Sequence, residues 1–206
     1  MAIPAWLTVS PQSGSGNQAL TNTATAHTGR TQRTATVEVT YASKTASYTV
    51  NQTAKPEFVS FDDGTEVAMP KQSESPLTIR GKSNSQALTF SLEEGGSLTL
   101  ELPETYNAGA KSTTNGADID GDPGATAEYA FDIAFTVPTN TTIEERTCVL
   151  TCTPKAGDLQ KKSITIKQAA GDATLSIDPT SITIPAEGGS ETVQITANCT
   201  WAVKME

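Results

Sequence analysis

The sequence predicts an all-β protein, built as tandem immunoglobulin-like antiparallel β-sandwiches. Three observations carry this. Of 206 residues, 36% are hydrophobic, 5% aromatic and 18% charged, and Thr is the commonest residue while Leu, Lys and Arg are sparse. β-Branched side chains fit a pleated sheet and lose freedom in a helix. Short runs alternate apolar and polar residues with period two between Gly, Pro and Asn turn signals, and no stretch keeps a helical period. The alternating runs also recur in matching order at separate places.

The closest recurrence pairs two segments. Arg33-Thr-Ala-Thr-Val-Glu-Val-Thr40 is followed by Ser47-Tyr-Thr-Val-Asn-Gln52. Arg146-Thr-Cys-Val-Leu-Thr-Cys-Thr153 is followed by Ser163-Ile-Thr-Ile-Lys-Gln168. Each reads as a strand opened by Arg-Thr, a polar turn, and a strand closed by Gln. Ala35, Val37 and Val39 alternate with Thr36, Glu38 and Thr40, the inside–outside pattern of a half-buried antiparallel pair.

A second recurrence links Phe58-Val-Ser-Phe61, Glu66-Val-Ala-Met-Pro70, Leu77-Thr-Ile-Arg80 and Asn84 with a later series. That series is Leu175-Ser-Ile-Asp-Pro179, Ser181-Ile-Thr-Ile-Pro185 and Glu191-Thr-Val-Gln-Ile-Thr-Ala-Asn198. One repeated unit therefore has an opening and a closing half. Residues 56–171 carry both, with a long Gly-, Ala-, Asn- and Asp-rich loop at 107–126 expected to be flexible and a contact element. Residues 1–55 carry a closing half alone, and residues 172–206 an opening half alone.

Trp6-Leu-Thr-Val-Ser-Pro-Gln-Ser-Gly-Ser-Gly16, Arg33 at a strand start and Thr49-Val-Asn-Gln52 resemble the second half of a BACON domain. Asn198-Cys-Thr-Trp-Ala-Val203 resembles the middle of one; residues 56–171 keep the Arg and Gln landmarks and lack both tryptophans. The resemblance implies a seven- to eight-stranded sandwich of the kind found in surface proteins of gut Bacteroidetes and in tailed phages that infect them. It also implies carbohydrate binding for some members and a spacer role for others.

A half-sandwich leaves one apolar face wet and its edge amides unpaired, so neither terminal half is expected to be stable alone. Together the two approach the ~100 residues of a whole immunoglobulin-like domain. Their charges are opposite. Arg30, Arg33, Lys44 and Lys55 against Glu38 give the first a net of +3; Asp172, Asp178, Glu187, Glu191 and Glu206 against Lys204 give the last -4. Three completions fit: head-to-tail strand complementation between like chains, a fold-back across the short linkers Thr53–Pro56 and Ala169–Ala173, or a continuation of the chain beyond Glu206. Met1 reads as a start, which leaves the first segment unexplained by the third.

The net charge of -9 argues against nucleic acid as a partner, since duplex binding needs clustered Lys and Arg. No run approaches the ~20 apolar residues of a membrane span. A single His, His27, excludes multi-His metal centres. It is expected in an exposed polar turn, with no Gly-x-Ser-x-Gly elbow to serve. The three cysteines, Cys148, Cys152 and Cys199, read as buried thiols, because four residues along a strand separate the first two by about 13 Å. Asp118, Asp120 and Asp122 place carboxylates at alternate positions, as in a calcium loop, with Asp62 and Asp63 as further candidates. Pro123 and Tyr129 break the EF-hand pattern, which leaves a looser Ca2+ site or a solvated acidic loop. Trp6 and Trp201 are either sugar-stacking platforms or core fillers. Arg33 and Arg146 recur at one repeat position and are expected to close a loop onto the sheet.

The expectation is a non-enzymatic structural or adhesion protein with no catalytic residues and no cofactor. The first placement is a virion surface, as a phage head fibre or capsid decoration protein contacting like chains, other virion proteins and host glycan. The alternatives are a secreted or cell-surface carbohydrate-binding module of a gut bacterium, and spacer domains of a glycan-degrading enzyme.

Overall fold

Alternation along the chain becomes two facing layers in the middle of the molecule. The computed structural model describes residues 4–72 and 74–205. Met1, read above as a start, and Glu206 lie outside the described residues. Nine strands form the central unit: β5 (Val59–Phe61), β6 (Glu66–Met69), β7 (Glu74–Ser83), β8 (Leu88–Leu92), β9 (Thr105–Ala108), β10 (Lys111–Thr114), β11 (Tyr129–Val137), β12 (Arg146–Pro154) and β13 (Lys162–Gln168). They make a five-stranded sheet, β10-β9-β11-β7-β5, and a four-stranded sheet, β6-β13-β12-β8. Every second residue of β11 is buried, as are Cys148, Leu150 and Cys152 of β12. Phe131 of one sheet meets Phe90 of the other edge to face, centroids 5.6 Å apart, and this aromatic contact pins the layers together.

Among the described residues the pairing is antiparallel except at one place. β6 lies parallel to β13, with Val67 opposite Ile166 and Met69 opposite Gln168. This pair joins the opening half of the unit to its closing half. The stretch 107–126, expected as one long loop, instead holds most of the β9–β10 hairpin. Gly109 and Ala110 both have positive φ there, which makes the tight turn between them. Tyr106 and Ala108 face the core, and the small and polar residues around them hid the alternation.

The first segment, here the head, forms two ladders. β1 (Leu7–Ser10) pairs with β2 (Thr21–Ala24), and β3 (Arg33–Tyr41) with β4 (Lys44–Gln52). Leu7, Val9, Ala35 and Val37 are buried between them, with Trp6, Tyr48 and Val50 packed alongside. Tyr48 Oη also donates to Asn22 Oδ1 at 2.9 Å and ties the ladders together. The core stops short of the hairpin tip, where Val39 and Tyr41 are exposed.

The last segment, here the tail, has one ladder, β14 (Leu175–Asp178) with β15 (Gln194–Ala197). Its register repeats that of β5 with β7. Val59 opposes Ser83 and Phe61 opposes Gly81; in the tail Leu175 opposes Ala197 and Ile177 opposes Ile195. Ser181–Pro185, expected as a strand, joins no ladder. Its central counterpart, β6, is held by β13 alone, and β13 belongs to a closing half that the tail lacks.

Candidate functional site

The groups that could do chemistry are tied into the structure. Asp118 accepts from Lys155 Nζ at 2.8 Å and from Gln86 Nε2 at 3.0 Å. Asp120 pairs with Lys111 at 2.9 Å, and this hydrogen bond, with the ammonium charge, holds its carboxyl below the usual carboxylate range. Asp122 takes both Arg30 guanidinium nitrogens, with Nη1 at 2.6 Å from Oδ1. Ile119, between the first two, is buried and anchors the loop. Each carboxylate thus has its own cation. Asp62 and Asp63 lie in the turn between β5 and β6. Among the described residues no group of three or more His, Cys, Asp or Glu side chains converges as a metal site would require.

The thiols separate into two kinds. Cys148 and Cys152 are buried on the core face of β12. Burial pushes both thiols up, in Cys148 with help from the charge of Glu93. Cys199, expected to be buried, is only half-buried, and its Sγ reaches Thr174 O at 3.7 Å. It sits on the tail, where no second layer covers it among the described residues.

His27 is half-buried rather than exposed, and its Nε2 donates to Thr31 O at 2.7 Å. Asn140 occupies the equivalent place before Arg146 and donates to Glu144 O at 2.8 Å. The histidine therefore closes a loop that an asparagine closes in the central unit. Arg33 donates to Gln52 Oε1 at 2.8 Å and to Thr25 O at 2.8 Å, and its guanidinium stacks over Trp6, 4.6 Å from the ring centre. Trp6 is half-buried against the head core, whereas Trp201 is half-exposed on the uncovered tail.

The junctions between segments repeat as well. At the first, Asn84 accepts Phe58 N–H at 3.0 Å, and its Nδ2 reaches the carbonyls of Thr28, Lys55 and Pro56 at 3.1–3.3 Å. At the second, Asn198 accepts Thr174 N–H at 2.8 Å and donates to Thr141 O at 3.0 Å and Asp172 O at 2.8 Å. Lys55 N–H to Gly29 O, at 2.9 Å, is answered by Gly171 N–H to Thr142 O, at 2.6 Å. An asparagine amide can accept the incoming N–H through its oxygen and bind the linker carbonyls through its NH2 group. Gly29 and Gly124 let the backbones touch at the first junction: a Cβ on Gly29 would stand 2.4 Å from the Thr126 carbonyl carbon, and one on Gly124 2.1 Å from Asn84 O. A groove of about 600 Å³ beside the second junction is lined by Lys71, Asn140, Asp172 and Asn198. The junction and the Lys71–Asp172 ion pair already use those four residues.

The sequence signalled the Arg and Gln landmarks but not the asparagines as junction residues. Their paired positions, one per opening half, were the available sign. The remaining surface of note is apolar: Val39 and Tyr41 near the tip of the β3–β4 hairpin, and Leu175, Ile177, Val193 and Trp201 among the residues of the tail.

Residues 3–53 match the family model BACON, described as "Putative binding domain, N-terminal". The resemblance read from the sequence holds over that segment. A Bacteroides ovatus GH5 xyloglucanase, solved with a XXXG heptasaccharide, is similar over 57% of this chain at 14% identity with a TM-score of 0.34; the chain spans 20% of that protein's length. A Bacteroides thetaiotaomicron protein solved by NMR is similar over 58% of this chain and 91% of its own, at 12% identity with a TM-score of 0.28. A search of curated proteins finds no match.

Proposed function

We propose that the chain is a non-catalytic binding module of secreted or cell-surface type, which holds carbohydrate or a carbohydrate-bearing partner without acting on it. The observation that carries this is the match of residues 3–53 to a family described as a binding domain. The acidic loop supports it, because its three carboxylates are each spent on a local cation and none is left in a pair suited to acid–base chemistry. Trp6, half-buried with Arg33 across its ring, and Trp201, exposed where the tail is uncovered, are the aromatic candidates for a sugar, and Trp201 serves only while no second copy covers the tail. Affinity electrophoresis in gels containing plant polysaccharides or mucin tests it, beside a glycan array. Retarded migration that Trp6→Ala or Trp201→Ala abolishes is the expected result; free migration in every gel overturns it and leaves the spacer role.

A second reading, a structural subunit of a particle such as a phage head fibre or capsid decoration, is favoured by the uncovered apolar tail. Recovery of the protein from purified virions tests that reading.

A further inference from the structure

We infer that the tail of one chain completes the head of a second copy, strand by strand, in the register the central unit uses within itself. The central hairpin β12–β13 is flanked by two strands of the opening half, β6 parallel on the β13 edge and β8 antiparallel on the β12 edge. The head hairpin β3–β4 is the same hairpin, from Arg33 to Gln52 as from Arg146 to Gln168, and both its edges are open. The tail carries the two missing flanks, Ser181–Pro185 and Trp201–Met205, and neither lies in a ladder. An edge without a flank and a flank without an edge are the two halves of one contact.

The central unit fixes the register. Gln168 opposes Met69, and Ile166 opposes Val67. Gln52 takes the place of Gln168, and Pro185 that of Pro70, so Gln52 opposes Ile184 and Val50 opposes Ile182. On the other edge, Cys152 opposes Phe90 and Leu150 opposes Leu92. Trp201, Val203 and Met205 share the alternation of Leu88, Phe90 and Leu92, and so meet Tyr41, Val39 and Val37. Val39 is 52% exposed and Val203 77%, whereas Cys152 and Phe90 at the same places are 0% and 1%. Leu20 stands where β11 has Ile133, and Val193 stands where β7 has Ile79, two residues that oppose each other in the central sheet. Among the described residues, the exposed large apolar side chains outside these two surfaces are Leu102, Ile143 and Leu159.

The polar sockets agree. Lys71 O accepts from Gln168 Nε2 and from Asn140 N–H. The head holds the matching donors in Gln52 and His27, and the tail holds the matching carbonyl at Ala186. The head's net charge of +3 faces the tail's -4.

The contact runs between two copies rather than within one chain because the head and the tail sit at opposite poles of the central unit. The head is tied to Asn84 and Gly124, beyond the Ser83 end of β7. The tail is tied to Lys71 and Thr141, beyond the Glu74 end. A ten-residue strand separates the poles by about 30 Å. A contact of this heterologous kind closes into a ring or extends as a filament.

The test uses the full chain. Ile182→Asp with Ile184→Asp blocks the tail, and Val39→Asp with Tyr41→Asp blocks the head; all four positions are exposed or unpaired, and unfolding of the central unit controls for folding. The wild-type mass by sedimentation should rise with concentration. Each blocked variant should stay a monomer, and a mixture of the two should form one-to-one pairs and nothing larger. For register, Asn51→Cys and Thr183→Cys in one Cys199→Ser chain should oxidise to a ladder of covalent multimers, as neither single variant does. A monomer at every concentration, a mixture that does not pair, or a cross-link that closes within one chain overturns the inference.

Discussion

Strand for strand, β14 and β15 of the tail reproduce β5 and β7 of the central unit, yet Val59 and Phe61 are buried while Leu175 and Ile177 face water. The ladder register is the same in both places. What differs is the layer opposite. In the central unit the four-stranded sheet lies across the apolar face; in the tail no such sheet is present among the described residues. Pairing of strands is therefore a local property of these sequences, and burial is a property of the whole unit. The head shows the intermediate case, with a core of four buried side chains that runs out toward Val39 and Tyr41.

The largest expected break in that comparison comes from matched truncations. Ile79→Ala in the central unit should cost about 2–5 kcal/mol by urea unfolding, because it empties a fully enclosed site. Val193→Ala, at the equivalent tail position, should cost less than about 0.5 kcal/mol in dilute solution. Equal losses would mean that the tail is already enclosed. Next come the asparagines. Asn84→Ala should lose about 2 kcal/mol, since Asn84 is fully buried and removing its side chain leaves the Phe58 amide and three carbonyls without it. Asn198→Ala, whose partners are exposed, should lose about half that. Swapping the two sizes would show that the second junction is the tighter.

A pH series sharpens the contrast further. Burial lifts Tyr106 to about 12 and Tyr129 and Cys152 higher still. The unfolded chain gives up these protons first, from about pH 9–10. The folded state therefore holds more protons across that window, and stability falls as pH rises from about 9 through 12. Melting of the central unit should show this loss, and it should be smaller in Tyr106→Phe. The smallest effect belongs to the acidic loop. Asp120→Asn should leave the melting temperature nearly unchanged, since its ion pair is exposed. Millimolar Ca2+ should leave the wild-type melting temperature unmoved; a clear rise would point to a site formed by rearrangement of those pairs.

The sequence disclosed the repeat because Arg33, Gln52, Arg146 and Gln168 mark equivalent ends of equivalent hairpins, and alternation between them identifies the inner faces. It also disclosed that Cys148, Leu150 and Cys152 line a core. It did not disclose β9 and β10, whose Ala, Asn and Thr residues look like loop material until Tyr106 and Ala108 are seen to point inward. The strand expected at Ser181–Pro185 is absent from any ladder for the opposite reason: its pattern is sound, and its partner is elsewhere. The fate of the acidic loop was hidden because Arg30 lies 92 residues before Asp122, and Lys155 lies 37 after Asp118. Such pairs are made by folding and have no signature in local spacing. The half-burial of His27 was hidden likewise, since its equivalence with Asn140 rests on a shared bond to the carbonyl four residues on.

Because Asn84 and Asn198 clamp equivalent groups of their linkers, with three carbonyls held at the first junction and two at the second, the connections between segments are restrained from bending. A string of such units would be stiff, and each would be turned and advanced from the last by a constant step. Anything carried on one face would then recur at fixed intervals and bearings, so the molecule would act as a ruler as much as a tether.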